Sequence, residues 1–363
     1  MESYPRGQKN AARGLKTPAN GIPPGGTRGH GAGDARRGPP ERAGGPLASR
    51  AAGAVKTPAG GGWKASLARV LAAHNGAKQD GSVASYATQD KRADVLYAGF
   101  EQLRELGYRL KSVESLRGKH LEALVKRWEA RGLSPSTLQN NLSVFRTFAA
   151  WIGKAGLVQA AERYVTTPGA ASRSSIASED KSWDAKGVDI VGKLAEVRAR
   201  DARVALQLEL QAAFGLRARE AMQLRPFLAD QGSYLAVNLG TKGGRDRVVP
   251  IRTDYQRDVL ARAKAIAGNR SASTMDPAKT LAQWKNRYYT VLRACGITRA
   301  EGITSHGLRH AYANDRYADL AGEPSPVRGG ATSNRETDQA ARLEVAEELG
   351  HSRESITTHY LGR

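Results

Sequence analysis

The stretch ELGHSRESITTHYLGR (348–363) decides how this chain is read. Gly350 closes a helical pattern where a left-handed residue is expected, and His351 follows at once. Tyr360 stands nine residues beyond His351. Tyrosine is a poor general base, but its phenolate attacks phosphorus well. With an ordinary pKa of about 10, it needs cations beside it at the moment of attack. A tyrosine near a chain end otherwise serves packing or surface, so the weight falls on what the rest of the chain can bring to it.

Working outward, TSHGLRHAYA (304–313) places His306 and Arg309 three residues apart, on one face of a helix that Ser305 or Thr304 would cap. A titratable imidazole beside a fixed bidentate cation suits a phosphate whose oxygens gain charge while a proton moves. The same residues could be a basic patch without chemistry. Further upstream, FGLRARE (214–220) sets Arg217 just past a helix ending near Gly215. Glu220 lies on the same face, where its carboxylate could hold the guanidinium in one orientation. An ordinary surface pair, worth little, is the alternative. Between these segments, YLAVNLGTKGGRDRVVPI (234–251) reads as two strands around a Gly243–Gly244 turn.

Composition agrees with a polyanionic partner. The 363 residues carry 56 Lys and Arg against 35 Asp and Glu, a formal net charge of +21. One cysteine excludes a disulfide framework and a cysteine-cluster metal site. No apolar run approaches the ~18 residues that cross a bilayer, and no secretory signal is legible at the N-terminus. The expectation is a soluble protein of a reducing compartment that binds nucleic acid.

Residues 1–62 form a basic Gly/Pro-rich tail with few large aliphatics, expected to be disordered; it is either an electrostatic tether or an inert extension. Residues 63–164 read as a small helical bundle, with helices near 63–75, 87–106, 117–131 and 135–152. In RGKHLEALVKRWEAR (117–131), Leu121, Leu124, Val125 and Trp128 make one stripe. In the next helix Ser134 caps, Pro135 takes the first position, and Leu138, Leu142, Phe145, Phe148 and Ile152 recur with helical period. The opposite face carries Gln139, Asn140, Ser143, Arg146 and Lys154. Residues 165–180 read as an exposed linker and 181–363 as a second domain of mixed α+β type. Its helices are expected near 185–199, 201–214, 253–268, 277–294, 306–320 and 338–350. The chain as a whole is expected to be mainly α with a small β-hairpin.

Taken in order, GLRARE, GTKGGRDRVVPI, HGLRH and LGHSRESITTHY resemble the boxes of the tyrosine recombinase, or phage integrase, family. The resemblance spans about 64–363, and LSPSTLQNNLSVFRTFAAWI (133–152) looks like part of that family's helical, SAM-like core-binding domain. It implies a two-domain clamp around duplex DNA. Arg217 and Arg309 would bind the scissile phosphate and Lys242 would protonate the 5′-hydroxyl leaving group. His306 would be the general base, His351 would hydrogen-bond the phosphate, and Glu220 would orient Arg217. Tyr360 would be the nucleophile, giving a 3′-phosphotyrosyl intermediate. Asn140, Arg146, Lys154 and Arg245 are candidate DNA contacts.

No cofactor and no metal are implied. The implied partners are double-stranded attachment sites, a homo-tetramer in the synapse with a monomer or weak dimer when free, and a directionality factor. The implied setting is the bacterial cytoplasm at the nucleoid, where such an enzyme integrates or excises a mobile element. A type IB topoisomerase-like enzyme and a catalytically silent DNA-binding descendant are the alternatives. Residues 321–340 read as a polar insertion, and three residues follow Tyr360. His310 and His359 are expected to pack or hydrogen-bond.

Overall fold

The computed structural model describes residues 61–78, 80–331 and 334–363. They divide into two compact units, one ending at Arg173 and the other spanning Ser174–Arg363. The basic tail lies outside the described residues, apart from Gly61 and Gly62. Among the described residues the chain is mainly α-helical with one two-stranded sheet, the class the sequence predicts.

The first unit is built from α1 (Trp63–His74), α2 (Tyr86–Glu105), α3 (Gly118–Ala130) and α4 (Pro135–Trp151). The apolar stripes fold as their period demands. Leu121, Leu124, Val125 and Trp128 of α3 meet Leu138, Leu142, Phe145 and Phe148 of α4 in one core with Trp63, Leu96 and Phe100. Ser134 accepts from Thr137 N at 3.3 Å and Pro135 sits in the first turn, where its missing N–H goes unneeded. Ile152 falls just beyond the helix end, half-buried.

In the second unit, α5 (Ile190–Arg200) leads into α6 (Ala202–Phe214), which is buried along most of its length. Asp201 caps α6 through bonds from Arg203 N and Val204 N. The chain continues through α7 (Ala218–Gln223) and α8 (Pro226–Ala229) into β1 (Tyr234–Val237), which pairs antiparallel with β2 (Arg247–Pro250). Then follow α9 (Asp254–Ala267), α10 (Leu281–Ala294), α11 (His306–Ala321), α12 (Arg335–Glu348) and the one-turn α13 (Thr358–Leu361). Residues of α6, β1, β2, α9, α11, α12 and α13 share one core, so every site-bearing segment is fixed to the same apolar mass.

One sequence expectation needs correction, and two segments gain detail. The stretch 165–180 holds neither helix nor strand, is mostly exposed and contains the division between the two units, but it is tied down at points along its length. Glu129 accepts from the backbone of Thr166 and Thr167, Ala171 is buried in the first unit's core, and Ala177 donates to Thr358 O at 2.8 Å in the second unit. The capping bond expected from Ser305 or Thr304 is not made. Ser305 takes helical backbone angles, and the Thr304 carbonyl accepts from Trp183 Nε1 at 2.7 Å. Within 321–340, Ser325 is buried and donates to Asn314, Arg328 binds Asp180 at 2.7 Å, and α12 already starts at Arg335. Ser325, Arg328 and Asp338 thus tie parts of that stretch to its own unit.

Candidate active site

Glu220 is the hub of the site. It sits on the first turn of α7 and is fully buried. It accepts from Arg217 N at 2.7 Å and Arg217 Nη1 at 2.7 Å. Arg247 of β2 grips it with two prongs, Nη1 at 2.9 Å and Nη2 at 2.8 Å, and Arg309 Nη1 lies 4.0 Å away. Burial alone would favour the neutral acid. Arg247 and Arg217 outweigh it and hold the carboxyl at about 2, well below the usual carboxylate range. The Arg217–Glu220 pair is therefore not the ordinary surface pair that its spacing also allowed.

The backbone at Gly215 makes this arrangement possible. Gly215 ends α6 with φ of 59°, and a Cβ there would stand 2.5 Å from Tyr312 Cδ1. A side chain would be both strained and blocked. The turn brings the Gly215 carbonyl to Arg309 Nη1 and delivers Arg217 to the α7 N-terminus.

Arg309 is wholly buried on α11. Nη1 donates to Gly215 O, Nη2 to Leu349 O at 2.6 Å, and Nε to Tyr360 Oη at 3.2 Å. Burial pulls its pKa down to about 10, so it remains a cation at neutral pH. Tyr360 lies on α13, with Asn314 Nδ2 donating to its carbonyl at 3.3 Å.

Three imidazoles surround the phenol ring. Centroid distances to Tyr360 are 5.8 Å for His306, 4.8 Å for His310 and 5.8 Å for His351. His306 opens α11 with an edge in solvent. Partial burial, followed by the charges of Arg309 and Arg217, lowers it to about 4. His351 stands at the end of α12, whose last turn closes as a Schellman motif. Gly350 N donates to Glu347 O and His351 N to Ala346 O, both at 2.8 Å, with Gly350 left-handed at φ 69°. Burial, then Arg309, Arg217 and Arg247, lower His351 to about 3. His310 is also lowered to about 3, by burial and then by His306, and its Nδ1 is buried without a hydrogen-bond partner. All three rings are neutral at pH 7. The result is a phenol flanked by fixed guanidiniums and uncharged imidazoles, a site able to receive a phosphodiester and accept a phenolic proton.

The structure thus gathers Arg217, Glu220, His306, Arg309, His351 and Tyr360. Lys242 belongs to the β1–β2 connection, but its side chain lies outside what is described. Arg245 is exposed in the same connection. In the first unit Asn140 is exposed. Arg146 Nη2 donates to Gln159 O at 2.9 Å and Lys154 Nζ to Leu116 O at 3.0 Å, so both spend bonds on local backbone. His310 packs, as expected, but against Tyr360 itself; its i,i+4 spacing from His306 was the available signal. His359 is exposed. Arg247 went unnoticed in the sequence, although the alternation in RVVP puts it on the same inward side as Val249. Tyr312 and Tyr317 donate to Glu348 and Asp338, which occupies both hydroxyls; burial first, and then these carboxylates, raises both phenol pKa values.

Both the sequence and the fold have relatives among known proteins. A family described as "Integrase" matches residues 171–315, and "Phage integrase, N-terminal" matches residues 67–158. The chain belongs to the phage integrase, or tyrosine recombinase, family. Tyrosine recombinase XerC of Xanthomonas campestris pv. campestris is 37% identical over 143 residues, 38% of this chain and 42% of the relative. XerC of Xanthomonas axonopodis pv. citri is 35% identical over 136 residues, 36% and 42% of the two chains. The chain spans about two fifths of the length of the curated relatives it matches.

Among solved structures, a lambda integrase dimer bound to a COC′ core site superposes with a TM-score of 0.52 at 16% identity, over 81% of this chain and 76% of that one. The Tn1549 transposon integrase in complex with a circular intermediate DNA gives 0.53 at 13% identity, over 82% and 95%. These likenesses are of fold.

Proposed function

We propose that the chain is a site-specific recombinase that cuts and rejoins duplex DNA through Tyr360. The observation that carries this reading is the Arg309–Tyr360 contact of 3.2 Å inside a ring of neutral histidines, beside the Arg217–Glu220 pair. In this reading Arg217 and Arg309 neutralise the non-bridging oxygens of the scissile phosphate. The Tyr360 oxygen attacks phosphorus while His306 takes the phenolic proton. The bond to the 5′ oxygen breaks, and Lys242 gives that oxygen a proton. His351 hydrogen-bonds the pentacoordinate phosphorane. One phosphoester bond forms and one breaks, leaving a 3′-phosphotyrosyl link and a free 5′-hydroxyl. Attack by a 5′-hydroxyl of the partner duplex reverses the step, so the bond energy is conserved without a nucleotide cofactor.

The wider reading is integration or excision of a mobile element at double-stranded attachment sites. Four protomers would assemble in the synapse, and a directionality factor would choose between the two outcomes. The bacterial cytoplasm at the nucleoid is the setting this reading implies. Among the described residues no helix is long and apolar enough to cross a membrane. Asn140, Arg146 and Arg245 are the exposed candidates for DNA contact, with the half-buried Lys154 beside them.

A nicked suicide duplex carrying the attachment core tests the chemistry, because the cleaved fragment diffuses away and the ester accumulates. The expected result is a denaturant-resistant protein–DNA adduct, formed in the presence of chelator and mapped by peptide sequencing to Tyr360. An adduct on another residue, or none at all, would overturn the reading.

A further inference from the structure

Arg247 is buried at the start of β2, opposite Val237 across the hairpin, with exposed Val248 next to it. An arginine is rarely so enclosed unless each of its donors is used. Here they are directed at two other segments of the site. Both terminal nitrogens hold Glu220, whose carboxylate in turn holds Arg217. Nε donates to Glu348 O at 2.7 Å, in the last turn of α12 just before His351. The third contact is steric. A Cβ on Gly350 would stand 2.8 Å from Arg247 Cδ, so the glycine of the LGH turn leaves the space that the arginine crosses.

We infer that Arg247 is a positioning residue that fixes Arg217, through Glu220, and the His351 turn, through Glu348 O, in one mutual geometry for the scissile phosphate. This rests on the phosphodiester reading of the site. A guanidinium is required because only its planar fork can grip a carboxylate with two nitrogens and still donate from a third. A lysine keeps the charge beside Glu220 but loses that geometry. The result would be a site that is present and folded, with Arg217 free to wander by a fraction of an ångström, enough to cost about 10²-fold in rate.

Single-turnover cleavage by Arg247→Lys on three suicide duplexes tests this. The first carries the ordinary phosphodiester, the second a methylphosphonate and the third a 5′-bridging phosphorothioate at the scissile position. The methylphosphonate removes the non-bridging charge that Arg217 serves. The phosphorothioate only eases departure of the leaving group. DNA affinity and the urea midpoint, measured alongside, report binding and folding.

The expected result is unchanged DNA affinity within about threefold, with phosphodiester cleavage slowed by about 10²-fold. That deficit relative to wild type should shrink to a few-fold on the methylphosphonate and persist on the phosphorothioate. Wild-type rates in the variant, or an equal deficit on all three duplexes, would overturn the inference and leave Arg247 as a stabilising ion pair. Should Arg247→Lys fail to fold, Arg247→Gln keeps a side chain able to donate to Glu220 but lacks the fork, and the same pattern on the three duplexes decides. Absence of an adduct with wild-type protein would instead overturn the parent reading, so the two failures are distinct.

Discussion

Arg309 donates through Nε to the phenol oxygen of Tyr360 at 3.2 Å, while its two terminal nitrogens are held by the carbonyls of Gly215 and Leu349. The guanidinium is therefore locked from both sides by backbone, one carbonyl at the end of α6 and the other at the end of α12. A cation fixed in this way needs little rearrangement when negative charge develops beside it. Its remaining nitrogen, Nε, is left to serve the phenol oxygen.

Tyr360→Phe removes that oxygen and keeps the ring that packs on His306, His310 and His351. The loss of one hydrogen bond should cost about 1 kcal/mol of stability. Adduct formation on the suicide duplex should vanish, with DNA affinity retained. Tyr317→Phe should keep forming the adduct, because its hydroxyl is committed to Asp338. An adduct in Tyr360→Phe would sink the nucleophile assignment.

Lys242→Ala should slow cleavage of an ordinary duplex and be largely rescued by a 5′-bridging phosphorothioate, whose thiolate leaves without a proton. Comparing the two substrates in single turnover checks this. Equal slowness on both would remove Lys242 from the role of general acid. The contrast with Arg247→Lys is built in, since the sulfur substrate should rescue one variant and not the other.

Acid should unfold the chain in two overlapping windows. His310 is held at about 3 in the folded protein against 6.5 when free. The folded state thus binds fewer protons, and stability present above pH 6.5 is lost as pH falls. Between pH 7 and 5 this group alone should cost about 2 kcal/mol. Glu220, held at about 2 against 4.5, stabilises above pH 4.5 and loses about 3 kcal/mol as pH falls towards 2. Urea midpoints at pH 7.5, 6.0 and 5.0 should decline steadily, and His310→Phe should flatten that decline. An identical slope in the variant would refute the assignment.

Gly215→Ala should be among the most damaging single-methyl changes in the second unit. The left-handed backbone at φ 59° and the 2.5 Å approach to Tyr312 act together. A loss of roughly 3 kcal/mol or more follows from strain plus overlap. Thermal melting of the purified variant measures it; a midpoint within a degree of wild type would contradict the geometry.

Much of this architecture was readable because local signals and burial agree. The stripes of α3 and α4 have helical period and face one core, and the Gly243–Gly244 turn sits where the hairpin reverses. The site boxes were legible because Arg217 with Glu220, and His306 with Arg309, are neighbours on single elements. What escaped the sequence depends on contacts between distant segments. Arg247 meets Glu220 and Glu348 only after the hairpin folds back, and no periodicity in one strand announces that. Likewise Arg146 stays exposed on α4 while donating to Gln159 O, a contact between segments that the helical period of α4 does not announce.

Glu220 stands as one carboxylate among three guanidiniums, those of Arg217, Arg247 and Arg309. Three cations facing one anion leave that cluster with an uncompensated positive charge, largely shielded from solvent at Glu220, Arg247 and Arg309. Its melting temperature should then depend on the buffer. Sulfate, phosphate or a short oligonucleotide would raise it by mass action, more than a chloride buffer of equal ionic strength. The chain would behave in the test tube as an anion-responsive protein before any strand is cut.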